Sequence, residues 1–123
     1  MATEEYIPLT PAQAEKRIRD CSRRLLAAID EHGKAAEAEA EALATYNATY
    51  LSAHLISLDE NPQRKVGHHE TVAQHAAMDA KRALVFATAA RRALSEEMHS
   101  LRQVLSSLQT NARVMGHMTG DAR

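Results

Sequence analysis

Two long runs of residues carry apolar side chains at steps of three and four, and a single Pro-containing break separates them. In the first run the pattern passes through Ile18, Cys21 or Ser22, Leu25, Ala28 or Ile29, His32, Ala36, Ala40, Leu43, Ala44, Tyr50, Leu51, His54, Leu55 and Leu58. That spacing gathers side chains on one face of a helix. In the second run Ala76, Ala80, Ala83, Ala87, Ala90, Leu94, Met98, Leu101, Leu105, Leu108, Ala112 and Met115 repeat it as a heptad-like seam, with one stutter between Leu94 and Met98.

Capping chemistry sets the expected boundaries. Thr10-Pro11-Ala12-Gln13 offers a Thr N-cap, a Pro at the first helical position, where its missing donor costs nothing, and a Gln able to reach back to the cap amide. Asn61-Pro62 stops the first helix, because a residue before Pro avoids the α region. Thr71 is a candidate N-cap for the second helix and Gly116 a candidate C-cap. The prediction is a leader over 1–9, a helix over 11–58, a turn over 59–69, a helix over 70–115, and a flexible tail over 117–123. Matched helices joined by a short connector predict an all-α fold, a long antiparallel, coiled-coil-like two-helix hairpin over 10–116. A turn centred near Arg64 would set Leu25 opposite Leu101–Leu105, Ile18 opposite Leu108–Ala112, and Leu43 opposite Phe86.

Composition adds a second expectation. Hydrophobic residues make up 45% of the chain, but only 3% is aromatic, Trp is absent and Phe86 is the one Phe. Ala-lined faces allow close helix approach yet contribute little buried area. A homo-oligomer completing a helical bundle is therefore expected, with Ile18, Leu25, Leu94, Met98, Leu101, Leu105 and Leu108 as its seam and interface residues.

The net charge of -1 conceals an uneven distribution. Basic residues concentrate in 11–24 and 91–113, and acidic ones in 30–60. If the chain folds back on itself, Arg17, Arg23, Arg24, Arg91, Arg92, Arg102 and Arg113 form a basic patch at the open end. Arginines bind phosphate without a deep pocket, so nucleic acid is the alternative partner. The competing reading is a solvated or salt-bridged helical face, and no stacking aromatics or helix-turn-helix spacing accompany the arginines.

Other chemistry has less support. His68, His69 and His75 lie near the turn with Glu70 and Asp79, but no HExxH or HxxxH spacing is present, and the plain reading is solvated His. His32 and His54 fall on the apolar face of the first helix, as packed side chains. Cys21 stands alone, so it makes no intrachain disulfide; beside Arg23 and Arg24 it would be an activated thiol only if exposed, and its seam position favours a buried small hydrophobe. Glu37, Glu39 and Glu41 point around a helix and not into a cleft. These observations predict no enzymatic activity, no cofactor and no metal. No apolar run reaches ~18 residues, and Met1-Ala2-Thr3-Glu4-Glu5 has no signal-like apolar segment, so a cytoplasmic protein without a membrane span is expected.

The segments Leu9-Thr10-Pro11-Ala12-Gln13-Ala14-Glu15-Lys16-Arg17-Ile18 and Leu94-Ser95-Glu96-Glu97-Met98-His99-Ser100-Leu101-Arg102-Gln103-Val104-Leu105-Ser106-Ser107-Leu108-Gln109-Thr110, one opening and one closing an Ala-rich helix, resemble small helical proteins from the early regions of actinobacterial phages, often encoded among DNA replication and recombination genes. The resemblance lies in layout and contributes no catalytic residues. It implies a cytoplasmic, non-structural phage protein. Taken with the helical hairpin, the expected function is that of a non-enzymatic helical interaction protein, a phage accessory factor binding a host or phage protein partner.

Overall fold

A computed structural model describes residues 9–120, with side-chain detail omitted for Met115 and for 117–120; residues 1–8 of the expected leader and 121–123 of the expected tail lie outside the described residues. The described residues are all-helical, with no strand among them. Three helices are arranged along the chain: α1 over Pro11–Glu60, α2 over Val66–Ala76 and α3 over Met78–Gly120.

The start of α1 is the expected capping box. The Thr10 amide donates to Gln13 Oε1 at 3.0 Å, and the Gln13 amide to Thr10 Oγ1 at 3.2 Å. The other end runs two residues past Leu58, to Glu60, because the Asn61 amide still reaches the Ser57 carbonyl at 2.9 Å. The turn is confined to residues 61–65 instead of 59–69. Lys65, extended at φ -69° and ψ 155°, is the N-cap of α2. Thr71 is therefore not a cap; it sits inside α2 and its hydroxyl donates back to the Gly67 carbonyl at 2.8 Å.

The second predicted helix is divided. Ala77, at φ -93° and ψ 6°, separates α2 from α3, well away from helical dihedrals. Hydrogen bonding continues across the division, from the Ala77 amide to the Ala73 carbonyl at 3.0 Å and from the Lys81 amide to the Ala77 carbonyl at 2.9 Å. Ala73 and Ala77 have no exposed surface at all, so the division coincides with the tightest packing along this stretch. At the far end α3 continues through Gly116 to Gly120. Gly116 is not a C-cap, and no glycine among the described residues takes a positive φ.

The chain separates into two compact units, one of residues 1–29 with 96–123 and the other of residues 30–95. In the first, α1 and α3 run antiparallel. The Cys21 thiol donates to the Leu101 carbonyl at 3.4 Å, and Arg24 grips Glu97 through two hydrogen bonds of 2.5 and 2.7 Å. Leu25 thus lies nearer Glu97 than the expected Leu101–Leu105 region. Among the described residues, Ala14, Cys21, Ala28 and Leu108 are the buried apolar residues of this unit. Ile18, Leu25, Met98, Leu101 and Leu105 are half-buried.

In the unit 30–95, α1 again runs antiparallel to its neighbours α2 and α3: Arg91 donates to Glu39 at 2.8 Å, and Ser57 meets His69 at 2.7 Å. Ala73, Ala77, Ser57 and His69 are buried, and Leu94 is half-buried. The expected Leu43–Phe86 pair does not form. Leu43 is 46% and Phe86 76% exposed.

Candidate functional site: an outward leucine stripe over a polar inner row

Burial traces a regular row along α1: Ala14, Ile18, Cys21, Leu25, Ala28, His32, Ala35, Glu39, Ala42, Tyr46, Thr49, Ala53 and Ser57 are all buried or half-buried. Up to His32 this is the row read from the sequence. Beyond His32 it differs. The sequence pattern ran through Ala36, Ala40, Leu43, Ala44, Tyr50, Leu51, His54, Leu55 and Leu58; of these Ala36, Tyr50 and His54 are half-buried, whereas Ala40, Ala44 and all the leucines are exposed.

The inner row of this second half is polar and aromatic. Tyr46 and Tyr50 lie one turn apart with ring centroids 6.2 Å apart, and Tyr50 stacks on His54 at 6.2 Å with planes 19° apart. His54 then meets His69 of α2 edge-on at 6.2 Å, and His68 meets it edge-on at 5.5 Å. His69 is 1% exposed and is the largest fully buried side chain among the described residues, with Nδ1 against Ser57 Oγ and Nε2 without a hydrogen-bond partner. The expectation of solvated histidines near the turn fails here. His69 and Ser57 are polar residues in sequence, and only the close approach of α2 to the end of α1 buries them together. His54 is half-buried, as a packed His should be, and His75 is exposed.

The opposite face of α1 carries a second row with heptad steps: Glu37, Glu41, Ala44, Ala48, Leu51, Leu55 and Leu58, every one exposed. Leu51 and Leu55 keep 58% and 55% of their surface exposed, and Leu58 keeps 38%. Alongside, Ala48, Thr49, Ser52, Ala53 and Ile56 line an open depression. On α3 a comparable outward row runs through Met78, Arg82, Val85, Ala89 and Arg92, all exposed. Phe86 projects beside it, and Met78, Lys81, Arg82, Val85 and Phe86 line a second open depression.

The seven candidate nucleic-acid arginines fall in both units. Arg91 and Arg92 belong to the unit 30–95, and Arg17, Arg23, Arg24, Arg102 and Arg113 to the other. Arg24 and Arg91 are committed to Glu97 and Glu39. Each guanidinium lowers its partner's carboxyl below the ordinary value through hydrogen bonding first, with Thr88 adding a hydrogen bond at Glu39. These two arginines fasten helices together, which leaves Arg17, Arg23, Arg92, Arg102 and Arg113 exposed.

Cys21 is buried at 9% exposure against a backbone carbonyl, an environment unlike the exposed, cation-flanked setting that activates a thiol. Among the described residues no three His, Cys, Asp or Glu side chains converge on a possible metal position, and no helix is long and apolar enough to cross a membrane. The geometry offers a surface: two exposed helical rows of mixed apolar and charged character. No protein-family model matches the chain, and comparison with curated proteins and with solved structures likewise finds no match.

Proposed function

We propose that this is a non-enzymatic helical interaction protein whose outward leucine row on α1 docks another helix. One observation carries the reading: the second half of α1 packs its Tyr–His–Ser row inward and leaves Leu51, Leu55 and Leu58 outside. Fully burying a leucine is worth about 1.5–3 kcal/mol. A chain that forgoes this along one face while burying polar groups on the other has a face suited to a second helix. Regular three- and four-residue spacing supports a helical occupant, since such rows interlock with the grooves of a facing helix. The resemblance to phage early-region proteins bears on where a heterologous partner would be sought, among host or phage replication factors.

The test is the double variant Leu51→Glu/Leu55→Glu, examined by circular dichroism and light scattering. Helicity and melting measured in dilute solution should persist while association with other chains is lost. Collapse of the fold would place these leucines in the core, and unchanged association would remove the row from the docking surface. Retention on duplex DNA across a salt series addresses the alternative partner, because phosphate contacts weaken steeply with salt and an apolar helical interface does not.

A further inference from the structure

Met78, Lys81, Arg82 and Val85 stand at positions i, i+3, i+4 and i+7 on the outer face of α3, and with Phe86 they line one open depression. Four residues at that spacing form the hole that receives one side chain of a facing helix. Arg82, Val85, Phe86 and Ala89 repeat the spacing one turn further on, and all four are exposed. The floor of both holes is apolar: Phe86 keeps 76% of its surface exposed, Val85 59% and Met78 42%. The walls are basic. Lys81 and Arg82 flank the first hole, and Arg92 follows Ala89 on the same face. Asp79 lies 3.8 Å from Arg82, whose other guanidinium nitrogen reaches the Met78 sulfur at 3.7 Å. Arg91 is turned inward to Glu39. Between Met78 and Arg92 the outer face therefore sets three cations against one carboxylate. Glu96, the next residue of the row, is acidic and belongs to the other unit, so the basic stretch ends at Arg92.

From this geometry we propose that the outer face of α3 over 78–92 binds an acidic amphipathic helix of a partner protein. Apolar side chains of that helix enter the two holes beside Phe86, and Asp or Glu residues flanking its seam meet Lys81, Arg82 and Arg92. Two features select this occupant. The holes match the side-chain spacing of a helix, and an amphipathic helix lays its apolar face into such a surface. The charge of the walls attracts a helix with acidic flanks and repels one with basic flanks. Phosphates of a nucleic acid would pair with the cations but leave Met78, Val85 and Phe86 uncovered. A bilayer surface presents no side chain spaced to enter the holes. The site is separate from the leucine row of α1 and goes beyond that docking reading.

Two peptide probes test it. Each has three heptads with leucine at both seam positions, flanked by glutamate in one peptide and by lysine in the other; like charge discourages either from pairing with itself. Affinity for the full chain is read by fluorescence anisotropy, with helicity followed by circular dichroism. The acidic peptide should bind at least about tenfold more tightly than the basic one, through complementary charge. Leu51→Glu/Leu55→Glu should keep that preference, which separates this face from the leucine row. Lys81→Glu/Arg82→Glu/Arg92→Glu should reverse it, in exposed positions that accept Glu as a helix former. Phe86→Ala should weaken the acidic peptide by about tenfold or more, as loss of an aromatic anchor does, with the melting temperature nearly unchanged. No binding of either peptide, equal affinity for both, or a preference untouched by the charge reversal overturns the site. Binding lost in folded Leu51→Glu/Leu55→Glu assigns the peptide to α1 and overturns it while the docking reading stands. Tighter binding to anionic phospholipid vesicles or to a single-stranded oligonucleotide than to the acidic peptide overturns the helical occupant. Self-association of the unmodified chain that Phe86→Ala abolishes gives the face to a second copy and overturns a separate partner.

Discussion

Single side chains in this protein do three separable kinds of work, each with its own test. Glu39 and Glu97 hold α1 to α3 through Arg91 and Arg24. Their carboxyls are depressed from the ordinary value of 4.5. A depressed carboxyl contributes stability that is present above its unfolded value and lost as pH falls through the folded one. Acid unfolding of the unmodified chain should therefore steepen below about pH 4.5, the unfolded-chain limit. The Glu39→Gln/Glu97→Gln variant should give a flatter stability profile there, measured by urea denaturation at several pH values. Ser57 and His69 form a buried polar pair with Nε2 already lacking a partner. Ser57→Ala leaves the second ring nitrogen unpaired as well and should cost about 1–3 kcal/mol. In Ser57→Ala/His69→Phe the combined loss should fall short of the sum of the single losses, the signature of coupled neighbours in a double-mutant cycle. Gly33 lies within α1 with nothing within 4 Å of an added Cβ. Gly33→Ala should raise stability by roughly 0.5–1 kcal/mol, as restricting the unfolded chain at a helical site does; an unchanged or lowered denaturation midpoint would contradict that account.

At the scale of elements, the capping box and the stop signal at Asn61-Pro62 were legible because they are local. Thr10 and Gln13 need only each other, and Pro62 needs only its predecessor. The start of α2 at Val66 was not legible, because Lys65 makes no side-chain cap and Thr71 carries the stronger capping chemistry while using it to bond back to Gly67. The division at Ala77 has no Pro or Gly to announce it. Leucine identity misled in the same manner. Leu108 on α3 is 9% exposed, yet Leu55 on α1 is 55% exposed. Leu108→Ala should cost about 2–5 kcal/mol through lost burial and a residual cavity. Leu55→Ala in dilute solution should cost well under half of that and act mainly on association. Equal shifts in denaturation midpoint for the two would mean that both leucines are core residues.

For the whole molecule, if copies associate through the leucine row, thermal stability depends on concentration, since a partner that binds only the folded chain stabilises it by mass action. The melting temperature of the unmodified chain should climb over a hundredfold range of concentration, and that of Leu51→Glu/Leu55→Glu should stay level. The sequence by itself determined that the chain is helical, where α1 begins, and which residues of its first half and of the end of α3 turn inward, from Ile18 and Leu25 to Leu101 and Leu108. In those stretches one apolar row repeats at steps of three and four, which helical geometry gathers on one face, while Leu26 and Val104 fall outside it and are exposed. Between Ala35 and Leu58 there are two rows with the same spacing, one of Ala, Tyr, Thr and Ser beside His54, the other ending in three leucines. A helix considered alone favours the leucines. Only the tertiary structure decided otherwise, because inward facing is set by what stands opposite: Arg91 awaits Glu39, and His69 awaits Ser57. Those contacts join residues far apart in the chain, and the register that brings them together depends on both helices at once.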